Sequence, residues 1–527
     1  MSAAKLPLGE ATGLANRTFA LGLAILAAAY VLVAAWAYSP ALFGAYHDDT
    51  LYFSAAKALA AGDGSVLPNL PDSPAQTKYP PLYPLLLSLV WRVQPEFPEN
   101  LSWAWSLNLA FGVVLVLASV GVLRRLGSSR KEALGLAAIF ALNPYTILWT
   151  NLLLSDVLFA ALTLLAVLAA DRAVVQREGS FWSWWAAAIV LAWLATTTRT
   201  LGVAILGGLF VFAIVNRRYL AGAATCFGVL PLVWRLLAGS SAGGSAPTSP
   251  VSGFDQTWLF YTDYVAFWKL SVPSLDVLWA QVQFNGLELL KFPAVNAFLY
   301  NAEGMASIYM QTTAIAISAA ILHGVYVRAK NCGHSSIHWM AVCYVPFILL
   351  WNYTLMSRFW LAFMPLFLVG AAVELRRLTG GIRKVFAQSS QLDQRIAAGF
   401  FGLALSALVL NGAWRYAVVV PKGLRSVAAH REKTLAAKQE AYDWLAHSNE
   451  TGPVISYEDA LLYLYTGAQG MRPFICSTEP FFRQDEDAMK RDISRIGDTA
   501  AALNAHYWIV SDDDFGLDYA GPLSRAE

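Results

Sequence analysis

Long apolar runs separated by short polar segments dominate the first 414 residues of the chain. Each run has roughly 17 to 25 residues, the length that an α-helix needs to cross the apolar core of a bilayer. The runs lie at about residues 17–39, 103–123, 132–150, 153–171, 182–198, 200–215, 220–238, 306–327, 337–352, 359–375 and 395–414. The pattern therefore predicts a mainly α-helical, polytopic membrane protein with about eleven transmembrane helices.

Basic clusters occupy every second connection between these runs. They lie at residues 124–132, 171–178, 216–219, 327–331 and 374–384. Cytoplasmic loops are enriched in Lys and Arg, so this alternation places the N-terminus and all five clusters in the cytoplasm. The run at 17–39 is too long for the apolar core of a signal peptide and lacks a small-residue cleavage site, which indicates an uncleaved first span.

The same topology places three polar segments outside: a first loop at 40–102, a long loop at 239–305 and a tail at 415–527. We therefore expect a transmembrane domain over 1–414 and an extracytoplasmic soluble domain over 415–527. The tail alternates helical and strand patterns, which favours a small α/β domain. Its acidic triplet at 512–514 is typical of a solvated turn after a strand, with metal binding as the other interpretation.

The long loop at 239–305 begins with a Gly/Ser/Pro-rich stretch, which is typical of a flexible segment. It continues into FDQTWLFYTDYVAFWKL, where aromatic rings are dense. Such a segment suits a helix lying in the headgroup region. Two interpretations stay open, a lid over a lipid-facing cavity and an aromatic belt with no further role.

Composition agrees with a membrane protein, since only 14% of the residues are charged against about 25% in an ordinary globular protein. The net charge of +2 comes from basic residues scattered between apolar runs, so no nucleic-acid surface is predicted. The four cysteines match neither a zinc ligand set nor a disulfide framework. There is also no glycine-rich nucleotide-binding fingerprint.

Charged side chains beside apolar segments are costly unless they face a polar cavity, so each is a candidate functional residue. On the predicted external side they are Asp48, Asp49, Lys78, Asp156, Arg199 and Arg358. Three carboxylates and three cations from distant segments are thus predicted at one membrane depth. If they converge, they would place acid/base groups beside an anion-binding site.

Each of these residues also has a structural interpretation. Asp49 could cap a helix that starts near Thr50, and Asp156 could interact with the N-terminus of its own helix. Arg199 and Arg358 could reach headgroup phosphates. Lys78 lies in KYPPLYP, where the prolines fix the direction of the chain.

The order of four motifs resembles the GT-C glycosyltransferases, in particular the aminoarabinose transferases and protein O-mannosyltransferases. The motifs are HDDTLYFSAAKALAAG with KYPPLYPLLL, then NPYTILWTNLLLSDVLF, TRTLGVAIL and SRFWLAFMPLFL. The resemblance covers the membrane part, about 415 residues. It implies a GT-C fold in a membrane such as the bacterial inner or plasma membrane, and the transfer of a sugar from a polyprenyl-phosphate donor to a glycan, lipid or protein acceptor.

The resemblance also implies roles for individual residues. Asp48 matches the essential acid of the first loop, and Asp49 stands where the family has Glu. Asp156 matches the second acidic residue, and Lys78 matches the lysine that contacts the carrier phosphate. Arg199 and Arg358 are assigned to the phosphate from their charge and depth. Further candidates at the substrate site are His47, for which a solvated side chain is the other interpretation, Tyr79 and Tyr83.

In this scheme Asp48 accepts the proton of the acceptor, and direct attack opposite the carrier inverts the anomeric centre. No cofactor is identified, and a divalent metal stays open. The competing classes are a secondary transporter, a lipid-linked flippase or polymer ligase, and a catalytically silent scaffold. A transporter is disfavoured because there is no internal repeat and the charges lie near one face rather than at the midplane.

Overall fold

The computed structural model describes residues 13–228, 252–299, 308–387, 420–448, 452–475, 478–511 and 514, apart from positions 177, 273, 354 and 484, together with six isolated positions between 399 and 414. The helices before the long loop are α1 Gly13–Ala37, α2 His47–Ala61, α3 Leu82–Val93, α4 Leu101–Arg125, α5 Arg130–Ala141, α6 Pro144–Asn151, α7 Asp156–Val175, α8 Glu178–Thr198, α9 Gly202–Val215 and α10 Tyr219–Phe227.

Further helices follow, with a π-helical turn at Val295–Leu299 and 3₁₀ turns at Pro40–Leu42 and Ser357–Phe363. The helices are α11 Ser252–Thr262, α12 Tyr264–Ser271, α13 Leu275–Ala294, α14 Ile308–Cys332, α15 Ser336–Leu349, α16 Met364–Ala387 and α17 Val420–His447. The tail then forms β1 Val454–Ser456, α18 Asp459–Thr466, β2 Gly470–Met471, α19 Thr478–Arg483, α20 Glu486–Ile493, α21 Ile496–Leu503 and β3 Tyr507–Ile509.

Among the described residues, six helices are long and apolar enough to cross a membrane, and a bent pair of helices raises the number to seven. Three shorter apolar helices, α3, α9 and α15, also lie in the described part of the chain. The prediction of a mainly helical integral membrane protein is confirmed. The number of eleven spans stays a prediction, because most of the runs at 220–238 and 395–414 lies outside the described residues.

The predicted run at 132–150 is two helices, α5 and α6, which meet at an angle of 55°. The break falls at Asn143-Pro144, where Pro occupies the first helical position and Asn143 is extended. The ring of a proline disfavours helical geometry at the preceding residue. The Asn143 side chain then caps α6 by accepting a hydrogen bond from the Tyr145 N–H at 2.9 Å. The break thus has a local cause in the sequence.

Helix α7 is the most buried of the spans before the long loop, with 72% of its apolar window inside the protein. It packs along α4 and α8, and the 3₁₀ turn at Ser357–Phe363 contacts it as well. Asp156 is the first residue of this helix, so its carboxylate begins a buried element. The fold therefore places a charge where only a partner of opposite charge can compensate for the lost hydration.

The tail contains a three-stranded parallel sheet with the strand order β2-β1-β3, and helix α18 packs on β1 and β2. Its helix α18 packs on α2, and the backbone N–H of Gly470 donates to the carbonyl of Asn69 at 2.7 Å. The tail and the loop at 40–102 therefore pack on each other. An extracytoplasmic location for both stays a prediction.

Asp514 of the acidic triplet is fully buried and forms an ion pair with Lys438. The interpretation of the triplet as a solvated turn is therefore wrong at this position, because a second charged side chain compensates for burial there. Asp512 and Asp513 lie outside the described residues.

Candidate active site

Asp48 lies in the first turn of α2, at the end of the loop that follows the first span. Its Oδ1 accepts a hydrogen bond from the Tyr79 hydroxyl at 2.6 Å, and its Oδ2 accepts two from the Arg358 guanidinium at 3.3 and 3.4 Å. The side chain is 27% exposed. Asp48 is therefore held by two donors and remains accessible.

Arg358 connects Asp48 to a second carboxylate. Its Nη1 lies 3.9 Å from Oδ2 of Asp156, and the Asp156 Oδ1 pairs with Nη1 of Arg199 at 2.6 Å. Carboxylates and guanidinium groups thus alternate in the order Asp48, Arg358, Asp156 and Arg199. We call Asp48, Asp156, Arg199 and Arg358 the charge cluster. The convergence expected from sequence is observed for these four residues.

Local structure explains how each arginine reaches the cluster. Arg199 lies in the tight connection between α8 and α9, where Gly202 approaches the preceding helix so closely that a Cβ would lie 2.4 Å from the backbone nitrogen of Thr196. Arg358 lies in the 3₁₀ turn that precedes α16. Both side chains are nearly buried and stack near Phe359, so neither extends away to reach headgroup phosphates.

Two atoms of the charge cluster have no hydrogen-bond partner among the described residues. They are Nε of Arg358 and Oδ2 of Asp156, and both are buried. A buried polar group without a partner is destabilising. The cluster is therefore incomplete as an isolated network and can accept hydrogen bonds from, or donate them to, a bound molecule.

The electrostatic environment keeps Asp48 ionised. Burial alone would favour the neutral acid, but the charges of Arg358 and Lys78 and the Tyr79 hydroxyl outweigh it and lower the pKa of Asp48 to about 2. Asp48 is thus a permanent anion at physiological pH, and a weak base.

Lys78 lies beside the charge cluster and beneath an aromatic ring. Its Nζ is 3.2 Å from the centroid of the Phe260 ring and 5.0 Å from that of Tyr79. Burial lowers the pKa of Lys78 to about 7, against the opposing attraction of Asp48. An arriving anion would favour the charged form of this lysine.

Asp49 does not join the charge cluster. Its side chain is fully buried, and its Oδ2 accepts a hydrogen bond from the Gly44 N–H at 3.1 Å. Burial raises the pKa of Asp49 well above its ordinary value. The helix begins at His47 rather than near Thr50, so Asp49 is not its N-cap. Neighbouring residues of a helix point in different directions, which separates the two carboxylates.

His47 points to the tail. Its Nε2 lies 2.7 Å from Oδ1 of Asp459, whose Oδ2 accepts a hydrogen bond from the Asn69 amide at 2.8 Å. Asp459 is fully buried, and His47 is 15% exposed. The interpretation of His47 as a solvated histidine is therefore wrong. Burial, against the attraction of Asp459, lowers the pKa of His47.

The two predicted tyrosines take different places. Tyr79 contacts Asp48 directly, whereas the Tyr83 hydroxyl, fully buried, lies 3.4 Å from the Asn108 Oδ1. The Tyr52 ring lies between them, with ring centroids at 4.8 Å from Tyr79 and 5.3 Å from Tyr83. Tyr83 therefore supports the site from behind an aromatic layer rather than lining it.

The aromatic stretch of the long loop forms α11 and α12. Phe260 covers Lys78, and the rings of Phe260 and Tyr261 lie 6.3 and 5.6 Å from the His47 ring. Both aromatic side chains are buried in the protein. The arrangement favours a cover over the site more than a belt that serves only lipid contact. The stretch at 239–251, which the sequence predicts to be flexible, lies outside the described residues.

Within the described residues there is no group of three or more His, Cys, Asp or Glu side chains that could hold a metal ion. The two carboxylates of the charge cluster share Arg358 instead. The guanidinium of Arg358 thus lies between these two carboxylates.

Sequence reasoning missed Asp459, Tyr52, Phe260 and Tyr261. Asp459 is 412 positions from His47 and follows the strand β1 as an ordinary first-turn acid, which is a frequent position for Asp. The aromatic density at 254–270 was the one available signal for Phe260 and Tyr261.

Known structures identify the fold. The structure of ArnT from Cupriavidus metallidurans bound to undecaprenyl phosphate aligns with a TM-score of 0.50 at 14% identity, over 87% of each chain. AglB, an archaeal oligosaccharyltransferase from Archaeoglobus fulgidus in complex with an inhibitory peptide and a dolichol-phosphate, aligns with a TM-score of 0.52 at 13% identity, over 95% of this chain and 70% of AglB.

No protein-family profile matches the chain, and no curated protein is similar enough in sequence to match it. ArnT and AglB are both GT-C proteins, and the protein has the GT-C fold that they share.

Proposed function

We propose that the protein is an integral membrane glycosyltransferase that transfers a sugar from a polyprenyl-phosphate-linked donor to an extracytoplasmic glycan, lipid or protein. The observation that carries the proposal is the charge cluster, in which Asp48 is ionised and accessible beside Arg358 and Lys78. The fold supports it, because the aligned structures are those of ArnT bound to undecaprenyl phosphate and of AglB in complex with a dolichol-phosphate.

The donor phosphate would bind between Lys78 and the charge cluster. Arg358 retains a buried Nε without a partner among the described residues, and the pKa of about 7 leaves Lys78 only partly charged near neutral pH before an anion arrives. A phosphate at this place would gain charge-assisted hydrogen bonds and would restore the charge of Lys78. Asp156 and Arg199 would hold Arg358 in position from the other side.

Transfer then breaks the bond between the anomeric carbon and the phosphate oxygen. The bonding electron pair leaves with the phosphate, which gains one negative charge, and the cations stabilise this charge as it develops. The acceptor oxygen forms the new bond, and its proton passes to Asp48. Because Asp48 is a weak base, the proton leaves only as the new bond forms. Attack from the face opposite the phosphate inverts the anomeric centre.

The contacts of the two neighbouring carboxylates support different roles for Asp48 and Asp49. Asp48 contacts Tyr79 and Arg358, whereas Asp49 is buried against the backbone of Gly44. We therefore assign the proton transfer to Asp48 and a structural role to Asp49. Asp156 is a positioning residue, since its carboxylate pairs with the two arginines.

The test compares Asp48→Asn with Asp49→Asn, its matched neighbour. Purified protein is supplied with a panel of undecaprenyl-phosphate-linked hexoses and pentoses in membranes that contain acceptors, and released undecaprenyl phosphate is measured. We expect Asp48→Asn to lower turnover by about 10²- to 10⁴-fold and Asp49→Asn to retain it. Turnover of the native protein with no panel member, or native rates in Asp48→Asn, would contradict the proposal.

A further inference from the structure

A narrow cleft lies where the end of α1 meets the start of α4, two membrane-spanning helices that pack on each other. Tyr38 and Ser39, which follow α1, line one side, and Trp105 of α4 lines another. Asn151 and Leu153, at the end of α6 and in its link to α7, form the third wall. The cleft has a volume of about 220 Å³, including its open mouth. The proposed transfer reaction uses none of these side chains.

The aromatic rings of the cleft lie at the membrane boundary. Tyr38 comes directly after the last residue of α1 and Trp105 lies in the second turn of α4, and their rings stack with centroids 4.3 Å apart. The neighbouring Trp36 and Trp103 are more than half exposed on the surface of the same two helices. Tyr and Trp are enriched where the hydrocarbon of a bilayer meets the headgroups. The cleft therefore lies at the depth where the ester groups of membrane lipids are found.

The side chain of Asn151 offers a hydrogen-bond donor to the cleft. Its Oδ1 accepts a hydrogen bond from the Trp105 indole N–H at 2.8 Å. An indole nitrogen can only donate, so this bond fixes which end of the amide is the oxygen and which is the nitrogen. Asn151 is 4% exposed, and its Nδ2 has no hydrogen-bond partner among the described residues. A buried donor without an acceptor is destabilising, so a bound acceptor would be favourable here.

The rest of the lining is uncharged and mainly apolar. Phe43, Leu101 and Leu153 contribute apolar side chains. The Ser39 hydroxyl already accepts a hydrogen bond from the backbone N–H of Ala41 at 3.3 Å. Among the described residues, none of the side chains that line the cleft is charged, so an anionic group would lose its hydration without a cation to replace it. The lining therefore suits a ligand that is apolar apart from one neutral hydrogen-bond acceptor.

We propose that the cleft binds a diacyl glycerolipid of the surrounding membrane. One ester carbonyl accepts a hydrogen bond from the Nδ2–H of Asn151, and the adjoining acyl chain lies along the stacked rings of Tyr38 and Trp105. An ester carbonyl is a neutral acceptor joined to an apolar chain, and it lies at this depth of the bilayer. The lipid thereby supplies the acceptor that the buried amide lacks among the described residues.

The bound lipid would complete the polar contacts of the link from α6 to α7. Asn108 already holds this link by donating from its Nδ2 to the carbonyls of Thr150 and Leu152, at 2.8 and 2.9 Å. A ligand that binds the folded protein alone stabilises it. Lipid binding at Asn151 should therefore raise the melting temperature.

The test compares two lipids that differ only in their linkage to glycerol. Delipidated, detergent-purified protein receives either diacyl phosphatidylcholine or its dialkyl ether analogue of equal chain length, which has no ester carbonyl. Retained lipid is counted by native mass spectrometry, and the melting temperature is recorded in parallel. We expect the diacyl lipid to bind about tenfold more tightly, as one hydrogen bond from a buried donor provides. Diacyl phosphatidylglycerol should bind as tightly as diacyl phosphatidylcholine, because the described lining is uncharged.

Asn151→Asp is the matched variant. Aspartate has nearly the same shape and keeps an acceptor for the Trp105 indole N–H, but it lacks the N–H donor. The preference for the diacyl lipid should fall from about tenfold to none. Leu153→Trp leaves Asn151 intact and fills the cleft, so it should lower the retention of both lipids. Asn504→Asp, at an exposed position after α21, is the control and should keep the native preference.

Equal binding of the diacyl and dialkyl lipids by the native protein would overturn the inference, because water would then be the partner of Asn151. A native preference in Asn151→Asp would overturn it as well, since the carbonyl would be recognised elsewhere. Displacement of the diacyl lipid by undecaprenyl phosphate, which has no carbonyl, would assign the cleft to an isoprenoid chain instead. None of these measurements requires sugar transfer, so they do not depend on the proposed function.

Discussion

Two buried charge networks of this protein have the same alternation of sign but differ in the length of their contacts and in the exposure of their side chains. In the tail, Arg431, Glu458, Lys438 and Asp514 form a network with ion pairs of 2.5, 2.7 and 2.5 Å, and no side chain is more than 9% exposed. We call it the tail network. In the charge cluster, the contacts of Arg358 are longer, at 3.3 and 3.9 Å, and Asp48 is 27% exposed.

The difference separates a network that holds a fold from one that can take a ligand. Removing one partner of a tightly paired buried network leaves another charge buried without compensation. The tail network should therefore contribute mainly to stability. Buried atoms without a hydrogen-bond partner among the described residues occur in both networks. What distinguishes the charge cluster is the longer contacts of Arg358 and the accessible carboxylate of Asp48. Its substitutions should therefore act on turnover more than on folding.

The largest effect on stability is expected for Glu458→Gln. This change removes the carboxylate that pairs with both Arg431 and Lys438, and leaving such cations buried without it costs about 3–5 kcal/mol. The melting temperature of the detergent-purified protein should fall, while the turnover of the fraction that remains folded should stay native. Glu440→Gln, at an exposed position of α17, is the control. An unchanged melting temperature would show that the tail network is dispensable.

Arg358→Ala should instead lower turnover more than it lowers the melting temperature. It removes the guanidinium that Asp48 shares with Asp156, together with donors proposed to stabilise the leaving phosphate. Loss of one such donor typically lowers kcat by about 10²- to 10³-fold. Arg358→Lys keeps the charge and should recover only part of the rate, because an ammonium cannot present the planar fork of donors.

The measurement for Arg358 is single-turnover release of undecaprenyl phosphate, with melting temperature recorded in parallel. Arg425→Ala, an exposed arginine that stacks near Trp36, is the matched control. If Arg358→Ala loses stability as Glu458→Gln does while its folded fraction turns over normally, the two networks do not differ in kind.

The residues of the charge cluster and the fold class could be predicted from sequence. Asp48, Asp156, Arg199 and Arg358 stand at the ends of apolar runs, where a charge without a function is too costly to expect. The alternation of basic loops also predicted that the four side chains lie at one depth on the external side. The fold class was predictable for the same reason, since apolar run length is a direct consequence of bilayer thickness.

The remainder depends on contacts that no local pattern encodes. Asp459 approaches His47 only because the tail packs on α2 and the first loop. The burial of both side chains arises from the same packing. Sequence alone could not assign different roles to Asp48 and Asp49 either. The two side chains are chemically equivalent until the contacts with Arg358 and Gly44 are known. The break at Asn143-Pro144 had a clear signal, but it lay inside a run that length alone presented as one span.

Asp49→Asn should have the smallest effect on stability, and the direction in which that effect changes with pH distinguishes Asp49 from Asp48. Burial raises the pKa of Asp49 above its unfolded value of 3.8, so its contribution to stability is complete below that pH and is lost as the pH rises toward the folded pKa. Asparagine resembles the protonated acid and keeps an acceptor for the Gly44 N–H. The variant should therefore lose less stability than the native protein between about pH 4 and pH 7, with a change of about 1 kcal/mol at most at neutral pH.

Asp48→Asn, whose carboxylate is stabilised as an anion, should show no such gain. Melting curves across this pH range test the difference, and a native pH dependence in Asp49→Asn would show that this carboxylate is ionised in the folded protein.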